Sequence, residues 1–529
     1  QPGYAVAGTL RLAGLPLATL YTQTHAFPVD LPLVLPGPLP GAPAGAASPI
    51  ADAATLRAWL DSRLDPGDDF LWVHAPDCYA LNETQLAALL DAALCQSADD
   101  VAGLTVVHCM MPTAIPDADP FRARFAGTLD LVAAAWAPTV QATDALAVRA
   151  RWQALAPLDP LNIYLTLRDP ESDIVYAEGG DILVDDRAWR TTAWEPGAFI
   201  EGTAYVPIDL TLPPGVYTLT MSLSGNSGRV GLNLPDGTFG GTRVELGQVE
   251  VIPPPYPATA LPGIEAASLA DFPGLRLLGS STLSAEVWAG QRLPFRLAWE
   301  RLPGDPQDRV HWSLACGDDA RVEGDLPIAP SGPSTWPEGH RYIAQYAPRT
   351  DPLLPEGPCT LAVGLAPGQE IVLGEVMVHQ RARRFALPQQ PPTALDVTVG
   401  DFARLIGVDV SQSILAPGET FAVTLYTQAT GTADRDYTAF VHLVGPDGAV
   451  AAQSDSWPEQ GAAPTTSWVA GQVIVDTHSL TLPAAAVAGE YTVFVGLYDA
   501  ERGSRVPLFD ATGAPIPDGR ALVRMLVVK

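Results

Sequence analysis

Residues 215–223 alternate strictly in character. Tyr217, Leu219, Met221 and Leu223 share one parity, and Thr218, Thr220 and Ser222 share the other. Period two is the signature of a strand with one buried face. The same pattern returns twice, burying Cys359, Leu361, Val363 and Leu365, then Tyr491, Val493, Val495 and Leu497. An earlier strand also recurs: Leu146, Val148, Ala150, Trp152; then Leu293, Phe295, Leu297, Trp299; then Phe421, Val423, Leu425, with Thr427 at the Trp position. A last strand closes each copy, at 244–251, 371–378 and 521–528. The three copies share one ruler. A Trp-x-x-Gly begins at Trp194, Trp336 and Trp468, and a further glycine follows 21 residues after each Trp, at Gly215, Gly357 and Gly489. A fixed period repeated three times identifies a tandem array of one domain type.

Turn signals such as Pro235-Asp236-Gly237 and Pro446-Asp447-Gly448 separate the strands. No helix-length periodicity appears within the repeats. The expected fold is therefore mainly β, with tandem antiparallel immunoglobulin-like β-sandwiches at residues 126–255, 265–385 and 395–529. The Pro-rich links at 253–257 and 388–392 are expected to act as extended, semi-rigid spacers.

Residues 1–125 read differently. Residues 30–50 are crowded with Pro, Gly and Ala and are expected to form a loop. Helices are predicted over 53–64 and 82–95, and buried strands over 70–74 and 104–108. That alternation predicts a small parallel α/β unit. Residues 8–21 can add an early strand, interrupted by Gly14 and Pro16.

Composition narrows the function. The formal net charge is −29, spread along 529 residues, and Lys529 is the only lysine. Such a surface disfavours nucleic acid and anionic membranes. No apolar run is long enough to form a transmembrane helix, and a chain opening on Gln1 is expected to have lost a leader or anchor. Cys316 and Cys359 both carry buried parity in the second repeat and are expected to meet across its core as a disulfide. Cys78 and Cys109, each after a strand of the α/β unit, are a second candidate pair, and Cys95 is expected at the opposite edge of that unit. Disulfides point to an extracellular or cell-surface location.

Catalytic chemistry has little support. The eight histidines form no H-x-x-x-H or H-E-x-x-H pair, and there is no C-x-x-C, G-x-S-x-G or Walker motif. His74, His108 and Asp77 fall near the strand ends of the α/β unit, with no nucleophile to join them. Clusters at Asp65, Asp68 and Asp69, at Asp181, Asp185 and Asp186, and at Asp318 and Asp319 supply hard oxygen donors suited to calcium, without any known loop pattern. No other cofactor is expected. Trp194, Trp336 and Trp468 recur at repeat-fixed positions and are expected in the cores. Trp136, Trp189, Trp288 and Trp457 are the candidates for exposed aromatic contacts, for example with a surface glycan.

The third repeat contains Phe440-Val-His-Leu-Val-Gly-Pro-Asp-Gly, Thr466-Ser-Trp-Val-Ala-Gly and Gly489-Glu-Tyr-Thr-Val-Phe-Val-Gly-Leu-Tyr-Asp. These runs resemble the β-sandwich modules in extracytoplasmic tails of bacterial membrane glycosyltransferases of the protein mannosyltransferase type. Residues 52–112 resemble the small α/β element that can precede them. The resemblance implies an accessory ectodomain. No catalytic residue carries over, because the membrane part that bears that family's acidic residues has no counterpart in these residues. The expected function is that of a non-catalytic cell-surface structural protein that joins further copies of itself through open sheet edges. The alternative is a carbohydrate-binding accessory ectodomain of a cell-surface glycosyltransferase. A hydrolase using paired carboxylates is the third class considered.

Overall fold

The computed structural model describes residues 122–185, 189–226, 228–317 and 319–529, and the backbone of residues 4–12, 15–23, 33–34, 69–74, 94–95, 99–101 and 104–110. The described chain is mainly β; its only helical turns are short 3-10 segments. No helix among the described residues is long and apolar enough to cross a membrane. Two compact units are present. One comprises residues 1–238, 244–259 and 335–342, and the other residues 239–243, 260–334 and 343–529.

The N-terminal strands depart only in part from the parallel α/β expectation: Leu33–Val34 pairs parallel with Asp69–His74, whereas the other described pairs are antiparallel. Tyr4–Leu12 and Leu15–Gln23 form an antiparallel pair. Asp69–His74 and Leu104–Met110 are neighbours, but they run antiparallel, with Phe70 opposite Cys109. Asp99–Val101 pairs back onto Leu104–Met110. Only two residues separate those strands, which is the length of a tight hairpin and too short for the crossover a parallel pair needs. Cys95 lies on the two-residue strand Leu94–Cys95, in register with Cys109. The helix expected over 53–64, most of that over 82–95, the loop over 30–50, and Cys78, Asp77, Asp65 and Asp68 fall outside the described residues.

From Ala123 onward the strands form three pairs of sheets, consistent with tandem β-sandwiches. In the first pair, one sheet runs Phe199–Pro207, Ala145–Ala154, Leu129–Trp136, Ala123–Phe125, Leu232–Asn233. The other runs Thr139–Gln141, Val244–Ile252, Gly215–Gly225, Asn162–Arg168, Val175–Gly179. Alternation decides the faces. Along Ala145–Ala154, Leu146, Val148, Ala150, Trp152 and Ala154 point into a core closed on the other side by Tyr217, Leu219, Met221 and Leu223. Arg149 and Arg151 point outward and share Glu201 on the next strand. Each fully buried large side chain contributes about 1.5–3 kcal/mol, so this core is the main source of stability. The second and third pairs repeat the arrangement, with Phe295–Arg301 and Thr420–Ala429 in the place of Ala145–Ala154.

The 21-residue ruler has a structural meaning. Trp194, Trp336 and Trp468 are buried, each directly after a 3-10 turn. The third residue after each Trp is a glycine at positive φ, 88° for Gly197, 78° for Gly339 and 85° for Gly471. A strand starts two residues later, crosses one sheet, and the chain passes to the opposite sheet, where Gly215, Gly357 or Gly489 opens the next strand. Two residues into that strand, Tyr217 donates its hydroxyl to the carbonyl of Pro213 at 2.7 Å, and Tyr491 donates to that of Val487 at 3.0 Å. Each phenol thus ties the strand to the connection that enters it.

In the second copy Cys359 replaces this tyrosine and is bonded to Cys316. The pair does not span the core. Ala315 is opposite Thr360 on adjacent antiparallel strands, so Cys316 and Cys359 are direct cross-strand neighbours in one sheet, with Cα atoms 4.2 Å apart. Inward parity is shared by every second residue of neighbouring strands, so it allows a bridge within a sheet as well as between sheets.

Within the second unit the link after His379 is not a free spacer. The Arg384 carbonyl accepts from Val473 N–H at 2.7 Å, Arg381 donates to the Ala462 carbonyl at 3.1 Å, and Gln389 donates to the Tyr426 hydroxyl at 2.9 Å. Arg349 adds a bond to the Asp434 carbonyl at 3.0 Å. The first three bonds fasten the link to the third sandwich, and the bond of Arg349 ties the second sandwich to the third directly.

Candidate functional site: an edge cleft in the first sandwich

The tenth residue after the ruler Trp is Ala204 in the first copy, Tyr346 in the second and His478 in the third; the eighth is Gly202, Ala344 and Asp476. All lie on an edge strand of a sheet, at inward positions, and each copy fills this corner differently. In the second copy the Tyr346 hydroxyl accepts from the indole N–H of Trp299 at 3.2 Å and donates to the Ile328 carbonyl at 3.3 Å. Its ring stacks on Phe295 with centroids 5.2 Å apart.

The third copy places polar groups there. His478, whose side chain is fully buried, has Nε2 2.9 Å from Asp476 Oδ2, with Nδ1 3.1 Å from Ser454 Oγ. Asp476 Oδ1 accepts from Glu459 N–H at 2.9 Å. Serine, histidine and aspartate in a row have the composition of a hydrolytic triad, but the geometry is that of a closed network. The imidazole has no exposed surface from which to serve a substrate, and each of its nitrogens already has a partner. The network joins the edge strands Val450–Ser456 and Val473–Thr481, which belong to opposite sheets. It was missed in the sequence, where its one signal is Asp-x-His at inward parity in an otherwise apolar alternation. A cavity of about 40 Å³ remains in this core, lined in part by Thr427, Trp468 and Asp476; Thr427 stands where the other copies have a tryptophan.

The first copy leaves the corner open. A cleft of about 420 Å³ is lined by Trp152, Ile163, Gly180–Val184, Arg190 and Gly202–Tyr205. Its volume falls within the range of small-ligand sites. The glycines let backbones close its walls. A Cβ on Gly180 would come 2.1 Å from the Ile163 carbonyl oxygen, and one on Gly202 would come 2.3 Å from that of Val184. Trp152 is fully buried, yet its indole N–H has no hydrogen-bond partner. Such an orphan is costly, about 1–3 kcal/mol.

The other candidates are dispersed. Trp189, next to Arg190 in the chain, and Trp457 are about half exposed, at 55% and 46%. Trp288 is 40% exposed, but the Arg381 guanidinium lies 4.8 Å from its ring centre and the His379 ring 5.3 Å away. Trp136 is half-buried, donates to the Gln248 carbonyl at 3.2 Å and covers the bulge at Gly247. Asp185 spends its carboxylate on Trp189 N–H at 2.7 Å, and Asp181 bonds Ile182 N–H. No group of three or more His, Cys, Asp or Glu among the described residues is placed to hold a metal ion; Asp186 and Asp318 fall outside those residues. The second sandwich carries one further charged cluster, His311 with Asp325 at 2.9 Å, beside the exposed pair Arg321 and Glu323. It lies on the edge strand Ala320–Pro327 and its neighbour, where charge discourages strand addition.

No protein-family model and no curated protein matches the chain. Among solved structures it is similar to a marsupial T cell receptor, at 10% identity over 72% of this chain and 96% of that one, with a TM-score of 0.15. A likeness at that score carries no argument about fold or function.

Proposed function

We propose that this chain is a non-catalytic structural protein of the cell surface, built of immunoglobulin-like sandwiches, that associates with further copies of itself. The observation carrying the reading is that the features shared by all three repeats are structural. The buried Trp, the positive-φ glycine and the strand-opening glycine all serve the crossing between sheets. The strand order supports the immunoglobulin-like assignment. A short strand pairs parallel to the last strand, and the phenols at Tyr217 and Tyr491 act as tyrosine corners. The Cys316–Cys359 bond favours an oxidising compartment.

The joint between copies is assigned here to side chains rather than to added strands. The outer edge strand Ala320–Pro327 carries Arg321, Glu323 and Asp325, and the edge strand Val473–Thr481 points Asp476 and His478 inward, both devices that blunt edges. The last strand, Ala521–Val528, by contrast shows Leu522 at 55%, Met525 at 53% and Val527 at 39% exposure, beside Ile414 at 53%. Sedimentation velocity across a concentration series, with electron microscopy of the same samples, tests the reading. Concentration-dependent oligomers lost in Leu522→Asp/Met525→Asp support it; a monomer at every concentration rejects it.

A further inference from the structure

The second copy supplies a template for what the first copy lacks. Trp152 and Trp299 occupy the same place in their strands, and both are fully buried. Leu183 and Ile328 also correspond: each donates its backbone N–H to the residue just before the neighbouring strand, Leu183 to the Leu161 carbonyl and Ile328 to the Asp308 carbonyl, both at 2.8 Å. Between these fixed points the second copy inserts a phenol, which takes the Trp299 N–H and gives its own hydrogen to the Ile328 carbonyl. The first copy has Ala204 at that position, an orphaned Trp152 N–H and an open cleft. The first copy thus has counterparts of the donor, Trp152, and of the acceptor residue, Leu183, and lacks the phenol that joins them in the second copy.

We infer that the cleft binds a ring bearing a hydroxyl group, with the ring over Ile163, Leu183 and Ala204, and the hydroxyl bridging the Trp152 indole N–H and the Leu183 carbonyl. The apolar floor favours the ring's carbon face. Asp181 and Arg190, which also line the cleft, suit additional hydroxyls, so a pyranoside fits the whole site and a simple phenol fits its floor. Both share the ring hydroxyl, and the assay separates them.

The test uses the full chain, with saturation-transfer NMR and the indole N–H resonances as readouts and three probes: methyl glucopyranoside, p-cresol and toluene. At least one hydroxylated probe is expected to bind and to move the Trp152 indole N–H signal, with toluene at least about fivefold weaker, the loss of roughly one buried hydrogen bond. Stronger binding by the pyranoside assigns the site to saccharides; binding by p-cresol alone assigns it to phenolic rings. Ala204→Tyr installs the second copy's own phenol and should abolish binding while leaving thermal unfolding unchanged or raised. Should that variant not fold, Trp152→Phe, which deletes the N–H and keeps an aromatic ring, should bring the hydroxylated probes down to the level of toluene. The inference is overturned if no probe binds, if toluene equals the hydroxylated rings, or if binding survives Ala204→Tyr or is unchanged by Trp152→Phe.

Discussion

Replacing His478 by leucine separates a closing network from a catalytic one. Leucine keeps most of the imidazole's bulk, so little of the cost is cavity. The electrostatic loss is larger. Asp476, at 4% exposure, would keep the Glu459 N–H as its bonding partner and lose the ring nitrogen now 2.9 Å away. Removing one member of a buried polar pair of this kind costs about 3–5 kcal/mol, and the shape-preserving substitution favours the lower end. Asp476→Val alone strands the imidazole with Ser454 and leaves the Glu459 N–H without its acceptor, at about 2–3 kcal/mol. The double variant Asp476→Val/His478→Leu removes both polar groups from an inward face whose other residues are Ile474 and Leu480. It should cost only about 1 kcal/mol, the remaining loss being the Glu459 N–H. Set against the two singles together, the double therefore shows a coupling of about 4–5 kcal/mol.

Hydrogen exchange read by mass spectrometry along a urea series gives the local stability of Val473–Thr481 and of Val450–Ser456, without assuming that all sandwiches unfold together. Both strands should loosen in either single variant and recover in the double. Additive costs, or loosening confined to Val473–Thr481, would show that the network does not hold the two sheets together.

The strand-entry ties give three more tests. Tyr217→Phe and Tyr491→Phe each lose one bond to a backbone carbonyl and should destabilise their own sandwich by about 1 kcal/mol, read by denaturant unfolding. Reducing Cys316–Cys359 opens a loop with a sequence separation of 43, for which chain entropy sets an upper bound of about 4 kcal/mol; the loss should appear in the second sandwich alone, by hydrogen exchange with and without reductant. Gly489→Ala should cost more than Gly357→Ala in thermal unfolding: a Cβ at 489 meets the Pro446 ring at 2.7 Å, whereas at 357 it meets nothing within 4 Å and only the positive φ resists it.

How much of this could be read beforehand follows from what alternation encodes. Period two tells which residues share a face, and it placed Leu146, Val148, Trp152, Tyr217 and Leu219 inside without any knowledge of their partners. It carries no information on which strand lies beside which. For that reason Cys316 and Cys359 could be paired from parity while their relation, side by side in one sheet, could not. The N-terminal strands illustrate the same gap: Phe70–His74 and Leu104–His108 were legible as apolar strands, but their relative direction depends on how the intervening residues pair, which a run of apolar residues does not record. The cleft left a fainter trace. Ala204 is unremarkable in its own strand; its meaning appears only when it is set against Tyr346 and His478 at the same distance from their tryptophans.

That comparison separates what holds the repeat together from what differentiates it. The Trp, the positive-φ glycine and the strand-opening glycine recur because every copy must make the same crossing between sheets, and changing any of them disturbs packing in a way no ligand can repair. The eighth and tenth positions after the Trp are under no such constraint, because they fill a corner at a sheet edge where several chemistries satisfy the same geometry. A phenol bridging an indole and a carbonyl, or an imidazole between a carboxylate and a hydroxyl, closes the corner from within the chain. Glycine and alanine leave it open, with the indole donor still in place. An unpaired buried donor costs stability in every unliganded molecule, whereas an inert alternative, the tyrosine of the second copy, is a single side chain away. The open corner is therefore a place where the first copy forgoes an internal bond that the second copy makes, and a bond of that kind is what a bound hydroxyl would restore.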